Sequence, residues 1–449
     1  MSLLDFASLA VNTCQKLGTD EAEAFVQNLQ IVEVVLERAE IQNERFKTQS
    51  GIGIRVIKDK KLGFAFASKL SRESIKNTCK AAISLAKVSV PNPEWVSLPA
   101  KDEFPKTPEG IFDPEIASIS GDEMLNLVID AYDAAKGYDK RVDIDDGKFS
   151  AILNEIAIAN SHGVEAQEKT TRIEGYLVCV AKERGETSSM AYEYDVSTML
   201  REFSPEKIGK TSAEKALSSL HPKAIESFTG KVILDSDPAS SILFYPVISS
   251  VNADNVQRGR SLWAGKVGEK VASPELTVVD DGLMPKGIGS LNFDFEGAPR
   301  QKTPIIINGK LEGFIYNSYT ANKEGKKSTG NAYRESYNML PTVATSNFVV
   351  KAGKKKLEEL IAEVDKGIIV RRFSGNVRPD SGEFSGIAKQ ASYIEKGQIK
   401  HALGETMISG NAFQALKDII EIGCETRPTE IRAYTPPILV DNIHIISKQ

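Results

Sequence analysis

Cysteine and histidine are scarce, with four of each in 449 residues. Cys14, Cys79, Cys179 and Cys424 are scattered and form no C-x-x-C, which excludes a zinc ribbon and a dense disulfide framework. They read as small buried hydrophobes in a reducing cytoplasm. His162, His221, His401 and His444 have no second His or Cys three to five residues away, so no single helix or turn presents paired metal ligands. No apolar run approaches the roughly eighteen residues of a membrane-spanning helix. The start, Met1-Ser-Leu-Leu-Asp-Phe6, lacks the basic and apolar regions of a secretory signal, so the expected location is cytoplasmic. An excess of positive charge is missing too. A net charge of −5 and a pI near 5.7 argue against nucleic acid or an anionic membrane as partner.

Several catalytic signatures are also absent. No G-x-S-x-G occurs, so there is no nucleophile elbow. Gly209-Lys-Thr211 has the ending of a phosphate loop, but Ser204 stands where the earlier glycine is required. It also falls inside a helix capped by Ser204 with Pro205 at its first position, where backbone N–H groups cannot reach a phosphate. Gly51-Ile-Gly53 starts a dinucleotide fingerprint, but Val56 replaces the third glycine and a strand runs through it. Asp145-Asp146 and Asp280-Asp281 are adjacent pairs followed by Gly. Neighbours on a strand face opposite ways, so these read as turn formers and not as a shared acid/base site.

What is present is an ordinary globular composition, 41% hydrophobic and 26% charged, with length enough for two or three domains. Residues 2–17 carry helical spacing stopped by Gly18. Short β-like runs follow at 23–29 and 32–36, then a hairpin of 51–57 with 62–67 around Lys58-Asp-Lys-Lys61, then a helix opened by Ser71. Residues 1–105 thus form an α+β unit, with helices over one face of a mainly antiparallel sheet. Residues 106–225 read as a second α+β segment packed with the first, its strands at 151–159 and 170–180. From 226 to 449 glycine becomes frequent and strands shorten, with hairpins expected at Asn308-Gly309 and Lys396-Gly397. Beyond an apolar helix near its start, helices are expected there only at 354–364 and 411–420. The fold class is therefore α+β: an N-terminal α/β region, then a β-rich, barrel-like C-terminal domain.

Polar residues crowd into turns between 236 and 346. An apolar helix is expected over 237–249, capped by Asp237. Behind it lie Asp280-Asp-Gly282, Asp294-Phe-Glu-Gly297 and Ser328-Thr-Gly-Asn-Ala-Tyr-Arg-Glu-Ser336. Thr329-Gly-Asn331 is a tight turn whose backbone can approach a ligand. Arg334 offers a fork for a peptide carbonyl or carboxylate, or else pairs with Glu335 or Glu296 and pins the loop.

Taken together, Gly51-Ile-Gly-Ile-Arg55 with Gly63, Leu276-Thr-Val-Val-Asp-Asp-Gly282, Phe293-Asp-Phe-Glu-Gly297, Thr329-Gly-Asn-Ala-Tyr-Arg-Glu-Ser-Tyr337 and Asp380-Ser-Gly-Glu-Phe384 resemble the TldD/PmbA (TldD/TldE) family over nearly the whole chain. The resemblance implies a cytoplasmic peptidase of two associated subunits that trims peptides and small or unfolded proteins. Its catalytic branch carries His-Glu-x-x-x-His plus a late Cys, two imidazoles and a thiolate for zinc and a Glu to activate water. Here Phe244, Tyr245 and Ser249 stand at those places, and Cys424 sits too early for the third ligand. The implied chain is the PmbA/TldE branch: a non-catalytic subunit that holds no metal, with zinc only on a TldD-type partner. Phe244, Tyr245 and Ser249, with Thr329, Gly330, Asn331 and Arg334, are expected to line its part of a cavity for an extended peptide. The alternatives are a stand-alone peptide-binding module, perhaps a homodimer, and a hydrolase with a site assembled from distant residues.

Overall fold

The computed structural model describes residues 1–429 and 431–447. A reciprocal cap between Ser2 and Asp5 starts α1 (Leu3–Lys16), and Gly18, at φ 83°, follows its end. Next come β1 (Glu21–Glu37), β2 (Glu40–Lys58) and β3 (Lys61–Ala67). The two runs expected at 23–29 and 32–36 are one strand. Its turns, Arg38-Ala39 and Asp59-Lys60, hold positive φ at both central residues, which matches the twist of long flanking strands. Ser71 caps α2 (Arg72–Val88). The chain continues through α3 (Pro114–Ala117), α4 (Gly121–Lys136), β4 (Val142–Asn160), β5 (Glu165–Glu183), β6 (Glu186–Thr187), β7 (Ala191–Ser197) and α5 (Pro205–Ser218).

These strands build one antiparallel sheet in the order β3-β2-β1-β4-β5-β7. The β1–β4 ladder runs from Glu23↔Asn160 to Glu37↔Asp146, so residues on both sides of position 106 share the sheet. Alternation divides its two faces. Ala24, Val26, Ala157, Ala159, Phe149 and Ile173 are buried beneath the helices. Gly63 lets α2 come close: a Cβ there would stand 2.0 Å from the Ala82 carbonyl oxygen. Gly209 does the same for α5, its would-be Cβ 2.1 Å from the Ala131 oxygen, so a packing contact explains the glycine of the phosphate-loop lookalike. The Asp145-Asp146 pair is not a turn. It sits at a bulge in β4, where Asp146 accepts from the Tyr176 hydroxyl at 2.8 Å.

The opposite face of the sheet looks onto the C-terminal half, which is curled into half-barrel sheets. There β8 (Phe228–Leu234) lies between the antiparallel strand Ile438–Ser447 and the parallel strand Lys366–Val370. A second sheet contains Val278–Asp281, Lys302–Ile307, Phe348–Val350 and Ala433–Thr435. Both expected hairpins form, with Asn308-Gly309 and Lys396-Gly397 in the left-handed region. The helix expected at 354–364 is shorter, Leu357–Ala362. That at 411–420 is only Ala412–Ala415, because Ile419–Ile422 pairs with the final long strand. The helix expected at 237–249 starts earlier, since Asp235 and not Asp237 accepts the capping bond. It winds as α over Ser236–Pro238, as π over Ala239–Phe244 and as α again over Tyr245–Val251.

Candidate functional site

Residues of the polar turn clusters lock the two halves together. Arg55, on β2, bonds Glu23 of β1 at 2.5 Å and Glu296 of the C-terminal half at 2.9 Å. Arg334 completes the set by pairing with Glu23, and its Nε donates to the Phe295 carbonyl at 3.1 Å. All four side chains are buried. Arg334 is therefore spent on scaffolding. Its partner is Glu23, which sequence reasoning could not name because it lies 311 positions away.

The turn before it is anchored inward as well. Gly330, at φ 74°, lies against the Pro299 carbonyl, where a Cβ would be 2.4 Å from the oxygen. Asn331 is buried and donates to Asp280 at 2.6 Å and to the Ala344 carbonyl at 2.9 Å. Thr329 Oγ1 donates to Asn331 at 2.6 Å and accepts from the Tyr316 N–H at 2.7 Å. Close backbone approach is what the glycine allows, but the approaching group is the protein's own chain.

The three helix positions part company. Phe244 is fully buried, its ring 5.7 Å from that of Phe348, while Tyr245 is exposed. Ser249 is half-buried and accepts from Asn255. The π winding ends at Phe244, and Ser249 lies on the α-wound turn that follows. Their chemistry and their directions both fail to suit a metal. Among the described residues no three His, Cys, Asp or Glu side chains are gathered to hold one. His162 instead pairs with Glu21 at 2.6 Å, and His221 sits between Glu183 and Glu186, whose hydrogen bonds raise its pKa.

The site that the fold does build is a groove between the first sheet and the C-terminal half. Its floor is the sheet face away from the helices: Gln27 and Leu29 on β1, Ser150 and Asn154 on β4, Arg172 and Tyr176 on β5. Its other wall comes from Ile288–Leu291, Tyr333 and Arg432. One cavity, of about 230 Å³, lies over β1 and β4. A second, of about 340 Å³, shares Arg172, Ile288 and Arg432 with it and extends to Tyr192 and Tyr194. A third, of about 290 Å³, shares Tyr192 and Thr429 with the second and reaches Ser240 and Ser241 on the buried helix. An aromatic stack supports the wall. Phe25, Phe295 and Tyr333 follow one another at 5.3 and 5.5 Å, and the Arg432 guanidinium lies 4.5 Å over Tyr333. Arg432 holds φ 58°, a left-handed conformation uncommon for such a residue.

Electrostatics beneath the wall is unusual. Burial pushes the Asp280 carboxyl up to about 6, although Asn331 and the Ser346 N–H bond to it. Burial, with Glu296 nearby, pushes Asp294 to about 7 against three backbone N–H donors. Arg300 is buried between them, and desolvation lowers its pKa. So Asp280 of the Asp280-Asp281 pair is a buried strand residue, while Asp281 does shape a turn by accepting from the Leu283 N–H at 3.1 Å.

Three domain signatures, described as PmbA/TldA metallopeptidase domain 1, central domain and C-terminal domain, match residues 22–86, 114–220 and 227–447. The chain belongs to the TldD/PmbA family. It is 30% identical to an uncharacterized protein of Methanocaldococcus jannaschii, over 91% of this chain and 92% of that one. It is 27% identical to the metalloprotease PmbA of Escherichia coli O157:H7, over 93% and 92%. A metalloprotease TldD homolog of Buchnera aphidicola is 28% identical over 88% and 83%. The crystal structure of TldE from Thermococcus kodakarensis superimposes with a TM-score of 0.91 at 26% identity, covering 97% of this chain and 98% of that one. The PmbA-named relatives and the TldE fold agree with a PmbA-type member. The metal that the family description implies does not fit the donor set of the described residues.

Sequence reasoning missed the groove floor. Its signal was the period-two run of polar and aromatic residues along 148–154 and 170–176, which equally describes a solvated sheet face.

Proposed function

We propose that this chain is the non-catalytic, metal-free subunit of a TldD/TldE-type metalloprotease, and that its groove holds extended peptide while a zinc-bearing TldD-type partner cleaves it. The observation that carries the reading is the coexistence of a long, half-open groove with a helix that turns Phe244 into the core and Tyr245 and Ser249 elsewhere. The groove suits a chain without strict sequence preference. Hydroxyls and amides such as Ser150, Asn154 and Thr170 can bond main-chain groups, and Leu29, Ile152 and Tyr333 supply apolar contact. Tyr245, exposed on the helix, and Thr329, half-buried, are the sequence-derived candidates whose exposure supports a role in meeting peptide or partner. The substrates are peptides and small unfolded proteins of the cytoplasm. No helix among the described residues is long and apolar enough to cross a membrane.

The test is metal analysis of the purified chain together with recovery of its partners from the native host. A stoichiometric complex with a zinc-bearing homologue, and no zinc in this chain alone, is the expected result. One tightly bound zinc per isolated chain would overturn it.

A further inference from the structure

The cavity over β1 and β4 gathers four arginines, Arg172, Arg300, Arg334 and Arg432, against a single lining carboxylate, Glu335. Arg334 is neutralised by Glu23 in the buried lock. The other three are less closely matched, although Arg172 and Arg300 have acidic neighbours. Arg172 touches Glu174 through Nε at 3.1 Å, in a geometry that leaves this buried N–H without a hydrogen bond. Arg432 is held by Tyr333, through its ring and its hydroxyl at 3.0 Å, and makes no ion pair with an acid among the described residues. Arg300 donates to the Phe293 carbonyl at 3.2 Å and to Ser346; the buried Asp280 and Asp294 act on it electrostatically but make no ion-pair contact with it among the described residues. Arg432, half-buried, lies close enough to act electrostatically on the buried Arg300, so two like charges stand near one another at the cavity. Buried charges are ordinarily paired, and a fork of guanidiniums is the arrangement that takes a carboxylate in two parallel bonds.

We propose that the cavity where Arg172, Arg300 and Arg432 converge binds a carboxylate of the peptide, and so fixes where in the groove the chain ends or turns. It rests on the proposed peptide groove. The walls beside the arginines are apolar: Leu29, Ile31, Ile152 and Leu291. That combination suits the α-carboxylate of a C-terminal residue with an aliphatic side chain, and it offers little to a phosphate that needs charge on every side. An Asp or Glu side chain carries the same chemistry.

The test is binding to the purified full chain, read by fluorescence anisotropy. The probes are a labelled extended peptide ending in leucine as free acid, the same peptide as C-terminal amide, and an amide with one internal Glu. The free acid should bind on the order of tenfold to a hundredfold tighter than the amide, the worth of a charge-assisted bond. Arg432→Gln and, separately, Arg172→Gln should erase that difference without abolishing amide binding. A preference recovered by the internal Glu peptide places the acid on a side chain and keeps the carboxylate pocket. Equal binding of all three peptides overturns the pocket and leaves the groove standing. If no peptide binds, N-acetyl-leucine separates the two ideas: Arg432-dependent binding of it keeps the pocket while the groove fails, and none sinks both. Competition by inorganic phosphate with none by N-acetyl-leucine also overturns the proposal.

Discussion

Arg55 and Glu296 stand 241 positions apart and meet at 2.9 Å with almost no solvent contact. With Glu23 and Arg334 they form an alternating run of charge that crosses from the first sheet to the C-terminal half. Removing one member of a buried set leaves another charge unpaired, which costs about 3–5 kcal/mol. Glu296→Ala should therefore lower unfolding free energy by that amount in urea titration, and Arg55→Met with Glu296→Met together should lose less than the sum of the two. Strict additivity would show that the pair does not couple the halves.

Stability should fall with rising pH through Asp280. Its carboxyl is raised to about 6 in the folded chain against an ordinary value of 3.8. The folded chain thus holds the proton more tightly, and the benefit is full below about pH 4 and lost as pH rises through 6. The span is worth about 3 kcal/mol. Asp280→Asn should flatten the pH dependence of urea stability between pH 4 and 7 relative to the parent. An unchanged slope would mean that Asp280 is ionised throughout.

Gly330→Ala tests the turn. Alanine at φ 74° is strained, and its Cβ would meet the Pro299 oxygen at 2.4 Å. A loss of about 2 kcal/mol or more is expected in thermal or urea unfolding. Gly185, also at positive φ but with open space around it, is the control, and Gly185→Ala should cost less.

Restoring the family's ligand types should not restore a metal site. Phe244→His, Tyr245→Glu and Ser249→His combined would place the first imidazole inside the core, with no existing cluster of metal-ligating side chains among the described residues to complete the set. Inductively coupled plasma analysis should find no stoichiometric zinc, and Phe244→His alone should destabilise by roughly 3 kcal/mol or more. Tight zinc in the triple variant would contradict this geometry.

Local signals carried the fold further than the site. Caps at Ser71 and Ser204 and the turns at Lys58–Lys61, Asn308-Gly309 and Lys396-Gly397 act within a few residues, so composition reveals them. The helix near 412 is shorter than its pattern predicts because pairing with the last strand, a distant contact, takes 419–422 out of the helical pattern. Arg334 was legible as a fork, but Glu23 and Glu296 had to be brought to it by the fold. The groove arginines Arg172, Arg300 and Arg432 come from three separate elements, and nothing in their neighbours marks them as one cluster.

The most direct measurement is peptide hydrolysis by this chain alone, by a zinc-bearing homologue alone, and by the two mixed, each after metal-free purification of this chain. The expected outcome is no cleavage by this chain, and faster cleavage by the mixture than by the homologue. Turnover by this chain alone, accompanied by one equivalent of bound metal, would contradict it.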